Sequence, residues 1–156
     1  MAELVSDRFV DFALYEVLDA LSLCALPDFA EHSKETFDMV LDNARKLARD
    51  VMLPAYRPMD QEPPRFVDGK VLVHAKMHAL MKPMVELDLT KATRKPESGG
   101  MMLPNMVATL AMTYTAAANL SAGSYFTLTS GASHLIESFG DQALKETYGS
   151  KMNTCE

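Results

Sequence analysis

The chain has 156 residues, 48% of them hydrophobic and 23% charged, which excludes a disordered polypeptide and fits one domain with a buried core. A formal net charge of −6, with the fifteen Lys and Arg scattered rather than clustered, excludes an electrostatic nucleic-acid surface. Two cysteines far apart, Cys24 and Cys155, define no disulfide framework, and no apolar run approaches the ~20 residues of a membrane span. The first residues lack the basic region and apolar run of a signal peptide, so the expected location is cytoplasmic.

The first predicted helix covers residues 7–23, with Phe9, Phe12, Ala13, Leu14, Val17, Leu18 and Leu21 forming a wide apolar stripe. Pro27 ends it, and the width of the stripe predicts a helix lying against a larger body. Cys24 in this stretch reads as a small buried residue. Ser33 then caps a second helix whose Phe37, Val40, Leu41, Ala44, Leu47, Ala48 and Val51 recur on one face. Pro54 marks the expected end of that helix.

Residues 55–73 read as irregular, because Pro58, Pro63 and Pro64 interrupt any period and Asp68-Gly69 signals a turn. From 74 to 87, Met77, Leu80, Met81, Met84 and Val85 share a face, and Pro83 is expected to kink or split this third helix. His74 and His78 stand four apart, but Ala75 occupies the place of a zinc protease's glutamate and no third ligand is near. A solvated polar face accounts for the pair better than a metal.

The stretch from 96 to 152 organises the rest. Gly99-Gly100 predicts a backbone path closed to residues with a Cβ, and Pro104 suits the first turn of a helix. Two apolar, small-residue helices follow at 105–119 and 121–139; Tyr125–Thr129 also carries strand-favouring side chains. Gly140 is placed to stop the second of them in the left-handed conformation, and Asp141 to cap a short last helix containing Leu144 and Tyr148. The small residues around Gly123 and Gly131 allow something to approach the backbone: a neighbouring helix on composition alone, a ligand as the alternative. Twelve methionines suit an irregular core or a greasy substrate wall.

No phosphate loop, nucleophile elbow or metal-ligand spacing is present, and His134 has no evident partner. The residues themselves offer no nucleophile or base.

Four motifs in order do carry a resemblance. Arg49-Asp50-Val51-Met52-Leu53-Pro54 is similar to an A-x-x-V-x-x-P helix end, and Pro96-Glu97-Ser98-Gly99-Gly100 with Leu103-Pro104 to a P-E-x-G-G-x-G-L-P turn. Gly140-Asp141-Gln142 with Lys145, Tyr148 and Met152 is similar to a G-x-x-x-Q-K-x-x-Y-L-x-x-M stretch. The segment Asp7 through Leu18 looks like the leader of one subgroup. Together they resemble the N-terminal helical region of acyl-CoA dehydrogenases, the subgroup including enzymes similar to methylmercaptopropionyl-CoA dehydrogenases. Two departures stand out: Asp88-Leu89 replaces a Gly-Trp pair, and Met102 takes a glycine position in the turn.

The resemblance implies an all-α fold, an orthogonal or up-down bundle of about six helices. It divides the chain into a leader (1–32), the helical domain (33–152) and the truncated start of a middle domain (153–156). The chain is then expected to be a fragment, a split-gene product or an excised domain. The implied activity is α,β-desaturation of an acyl-CoA thioester, with FAD and the base carboxylate held in middle and C-terminal domains and not retained by this chain. Implied partners are the acyl-CoA substrate, those domains, an electron-transfer flavoprotein and further copies in a homo-oligomer. Gly123, Ser124, Thr127 and Leu128, with Gly131 one turn on, fall where the resemblance puts the acyl-chain wall, as substrate-binding residues. A stand-alone helical interaction domain that has lost the reaction is the alternative.

Overall fold

The computed structural model describes residues 4–149 together with 151 and 152. Among the described residues the fold has six principal helices and one short hairpin. Helix α1 spans 7–17 and α2 spans 34–61; strands β1 (Arg65–Val67) and β2 (Lys70–Leu72) follow, then α3 (Ala75–Leu87). A long helical rod from Asn105 to Phe139 is broken at Asn119, giving α4 (105–118) and α5 (120–139); α6 covers 142–149. The expected all-α bundle is what forms.

The core is built around α2 and α4. Phe37, Leu41, Ala44 and Ala48 of α2 are buried against Val107, Ala111, Tyr114 and Ala118 of α4, both sets at helical spacing. Ser33 begins α2 with a reciprocal cap: its hydroxyl accepts the Thr36 N–H, while the Thr36 hydroxyl accepts the Ser33 N–H. Contrary to expectation, α2 does not end at Pro54. A widened turn at Ala48–Met52, closed by the Leu53 N–H donating to the Ala48 carbonyl, precedes the proline. Widening shifts the carbonyl row where the ring would otherwise strike the residue four back. Packing of Met52 and Ala55 in the core then carries the helix through Pro58 to Gln61. Likewise Pro83 does not split α3, whose Met77, Leu80 and Met84 all reach the core. Of the stretch read as irregular, only 62–73 lies outside that helix, and Asp68-Gly69 makes the hairpin turn with both residues at positive φ.

The first helix is shorter than its sequence suggests. It stops at Val17, because Asp19 takes the left-handed conformation (φ 46°) and a tight turn at Ala20–Ala25 follows. Its buried face is Val10 and Leu14; Phe9, Phe12, Val17, Leu18 and Leu21 of the predicted stripe are exposed. Cys24 is half-buried rather than buried. Polar contacts also hold this first segment down. Asp7 forms an ion pair with Arg45 of α2 (2.8 Å) and accepts the Tyr114 hydroxyl of α4 (3.0 Å). Tyr15 donates to Asp38 (2.6 Å), which Lys34 also meets at 2.6 Å. Burial raises the Asp38 pKa, but the hydrogen bonds from Lys34 and Tyr15 outweigh it and hold the carboxyl below its ordinary value.

A corner from 88 to 104 joins α3 to α4. Backbone hydrogen bonds lace it: Met101 and Leu103 donate to Ala92, Met102 to Arg94, and Gly100 to Lys95. The paired glycines have different reasons to be there. Gly99 sits at φ +75°, whereas a Cβ on Gly100 would lie 2.2 Å from the Arg94 carbonyl oxygen. Both departures from the glycine pattern fall on left-handed backbone, Asp88 at φ 57° and Met102 at φ 51°. An L-residue there is disfavoured by about 1–2 kcal/mol, partly offset by glycine's greater chain entropy. Met102→Gly is therefore expected to raise stability by about 0.5 kcal/mol, read as a higher urea midpoint with an unchanged slope. Pro104 itself caps α4 instead of occupying its first turn. Gly140 is extended (φ −68°), not left-handed; it is needed because a Cβ would lie 2.5 Å from the Ile136 carbonyl. Asp141 caps α6 through the Leu144 N–H.

Candidate functional site

Helix α5 owes its direction to Asn119. This residue leaves helical geometry (φ −163°, ψ 85°), and its side-chain oxygen accepts the Ala122 N–H at 3.0 Å, which starts a new helix in mid-rod. The amide is almost wholly buried, with its nitrogen 3.5 Å from the Met52 carbonyl and 3.6 Å from the Met59 sulfur. Tyr125–Thr129 is helical throughout. Tertiary satisfaction of one buried amide thus sets how the small-residue helix crosses the bundle.

One face of α5 changes character along its length. At its far end it is closed by the corner. Arg94, only 7% exposed, donates to the Ser133 hydroxyl and to the Ser130 carbonyl, both at 3.1 Å, and meets the Glu137 carboxylate at 3.2 Å. Ser98 also donates to Glu137, and the Ser130 hydroxyl to the Thr90 carbonyl. Nearer Asn119 the same face opens into a groove of about 90 Å³. Gly123, Ser124 and Thr127 line one side; Met84, Leu87 and Leu89 line the other.

The groove presents carbon. The Ser124 hydroxyl turns back to the Leu120 carbonyl (2.9 Å) and the Thr127 hydroxyl to the Ser124 carbonyl (3.3 Å). No lining residue is titratable. The groove can therefore receive an apolar chain, but it holds no acid, base or nucleophile. Of the five residues expected to form a wall, Leu128 and Gly131 do not line the groove. They lie on the outward face of α5 with Leu135 and Phe139, and Leu128 is 73% exposed.

Sequence reasoning missed a second cavity, of about 240 Å³, on the other side of the break at Asn119. Tyr56, Asp60, Glu62, His74 and Tyr125 are among its lining residues. Much of its lining comes from the stretch read as irregular, 55–73, and of the His74/His78 pair only His74 lines it. His74 Nδ1 accepts the Lys76 N–H at 3.0 Å, capping α3, and Nε2 lies 3.7 Å from Glu62; His78 is exposed. Among the described residues no group of three or more His, Cys, Asp or Glu could hold a metal ion, and no helix is long and apolar enough to cross a membrane.

The fold is helical, and the groove beside α5 is lined by uncharged side chains. The profile of the family described as acyl-CoA dehydrogenase, N-terminal domain, matches residues 34–156, and the chain belongs to that family. No curated protein matches the chain.

Proposed function

We propose that this chain supplies the acyl-chain wall of a flavin-dependent acyl-CoA dehydrogenase and is not competent for desaturation alone. The observation that carries this reading is the groove beside α5, where Gly123, Ser124 and Thr127 expose carbon and keep their hydroxyls tied to backbone. A slot of about 90 Å³ is well below the ~300 Å³ of a complete ligand pocket, so it serves as one side of a site closed by other parts of the enzyme. Leu128 and Gly131, on the outward face, would then meet those parts. In this reading the cofactor and the base carboxylate are held elsewhere in the complete enzyme. What these residues contribute is exclusion of water and the shape of the slot.

The subgroup with a leader segment is the finer assignment we favour, together with an electron-transfer flavoprotein as acceptor and a homo-oligomeric complete enzyme. The exposed apolar face of α5, with Leu128, Leu135 and Phe139, also favours a second reading: a helical interaction module without catalysis. One experiment separates them. The purified chain should be helical by circular dichroism, retain no flavin absorbance, and restore acyl-CoA oxidation when co-expressed with the remainder of the enzyme. Stoichiometric flavin on the chain alone would sink the first reading; failure to restore activity would favour the second.

A further inference from the structure

The cavity of about 240 Å³ beyond the break at Asn119 approaches the ~300 Å³ of a small-molecule pocket, and none of the acyl-wall residues lines it. Three elements build it. The end of α2 supplies Tyr56, Met59 and Asp60, the entry to α3 supplies His74 and Met77, and α5 supplies Ser121 and Tyr125.

Burial divides its wall into a floor and a rim. Met77 and Asn119 are buried, and Met59, Val73 and His74 half-buried. Tyr56, Asp60, Glu62 and Tyr125 are exposed. The polar groups of the floor are already engaged. The Asn119 oxygen accepts the Ala122 N–H, and its nitrogen faces the Met52 carbonyl and the Met59 sulfur. His74 Nδ1 accepts the Lys76 N–H, which puts the proton of the neutral ring on Nε2. That nitrogen stands 3.7 Å from the Glu62 carboxylate, too far for a hydrogen bond. Among the described residues no Lys or Arg lines the cavity, and Asp60 has neither an ion-pair nor a hydrogen-bond partner. Arg65 borders an adjoining space instead.

This wall selects by charge. A carboxylate or phosphate would meet Asp60 and Glu62 with no counter-charge beside it. A metal ion would find too few ligands. A neutral chain would gain from the floor and nothing from the rim. An ammonium head, by contrast, is attracted both by carboxylates and by phenol rings. At the ~30 Å³ that a water molecule occupies, the volume admits about eight non-hydrogen atoms. We propose that this cavity binds a small organic ammonium ion of that size. Its alkyl part lies on Met59, Val73 and Met77, and its charged head sits at the rim with Asp60, Glu62, Tyr56 and Tyr125.

The test titrates the whole isotope-labelled chain with hexylammonium, hexanol and hexanoate and follows the backbone amide shifts. The three share one alkyl chain, so burial on the floor contributes alike and the difference reads the head group. Hexylammonium should bind at least about tenfold tighter than hexanol and weaken with salt, and hexanoate should bind more weakly than hexanol. The shifts should centre on Glu62, Val73 and His74, not on Leu87 and Leu89 of the groove. Asp60→Asn with Glu62→Gln, both at exposed positions, should bring hexylammonium down to the affinity of hexanol. Tyr56→Leu with Tyr125→Leu should cost about fivefold or more. Unchanged melting by circular dichroism shows that the variants fold, and the head-group comparison needs only the parent chain. Equal binding of alcohol and ammonium would make the cavity a second site for apolar chains and overturn the proposal. So would shifts centred on the groove, affinity indifferent to the variants, or no binding by any of the three.

Discussion

Replacing Gly100 with alanine is expected to destabilise the chain by about 3 kcal/mol or more, a fall in melting temperature of about 10 °C. The new Cβ would lie 2.2 Å from the Arg94 carbonyl oxygen, 2.5 Å from its carbon and 2.6 Å from the Lys91 carbonyl oxygen. All three are backbone atoms in a laced turn, so no rotamer change can relieve the overlap. Moving that turn drags Arg94, and with it the hydrogen bonds to Ser133 and Ser130 that hold α5. A buried guanidinium displaced from its partners is among the larger single penalties in a protein. Gly131→Ala is the control of opposite sign. A Cβ there meets nothing within 4 Å, and alanine in a helix interior is favoured over glycine by about 0.5–1 kcal/mol. Thermal melts of the two variants should move in opposite directions; a Gly100→Ala melt within a degree or two of the parent would refute the packing described at the corner.

On the function proposed above, filling the groove should change which acyl chains the complete enzyme accepts without unfolding it. Gly123 is buried, yet a Cβ at this position meets nothing within 4 Å, because the space beside it is the groove itself. Gly123→Leu would occupy much of that volume and improve local helix propensity. With the complete enzyme, kcat/KM for long acyl thioesters is expected to drop by about 10–200-fold, and for the shortest by much less. Melting temperature and flavin content should be unchanged. A uniform loss across chain lengths, or none at all, would mean that this face does not line the acyl slot. Chain-length dependence is the readout that a purely structural role would not produce.

Much of the helical pattern was legible because its signals are local. Ser33 as a cap, the apolar row from Phe37 to Ala48, and Asp141 all act within one or two turns, and all behave as their spacing suggests. The prolines misled for a physical reason. Pro54, Pro58 and Pro83 each weaken a helix locally, but Met52, Ala55, Met77 and Met84 are buried on the same helices, and that burial outweighs the lost hydrogen bonds. The leader misled in the opposite way. Its apolar residues outnumber what one face can bury, so periodicity could not say that Val10 and Leu14 go inward and Phe9 and Phe12 outward.

By itself the amino-acid order determined an all-helical chain, the need for glycine at the corner, and the family through four short motifs. Each of these depends on residues a few positions apart, where backbone sterics and helical spacing act directly. Which small residues open a groove and which close against the corner was decided only by the packed molecule. Gly123 and Ser133 share one face of α5, and the difference between them is a contact made 39 residues away by Arg94. Asn119 shows the same division. Its type permits a cap, but only the carbonyl of Met52 and the sulfur of Met59, brought beside it by the bundle, make a buried break in the rod tolerable.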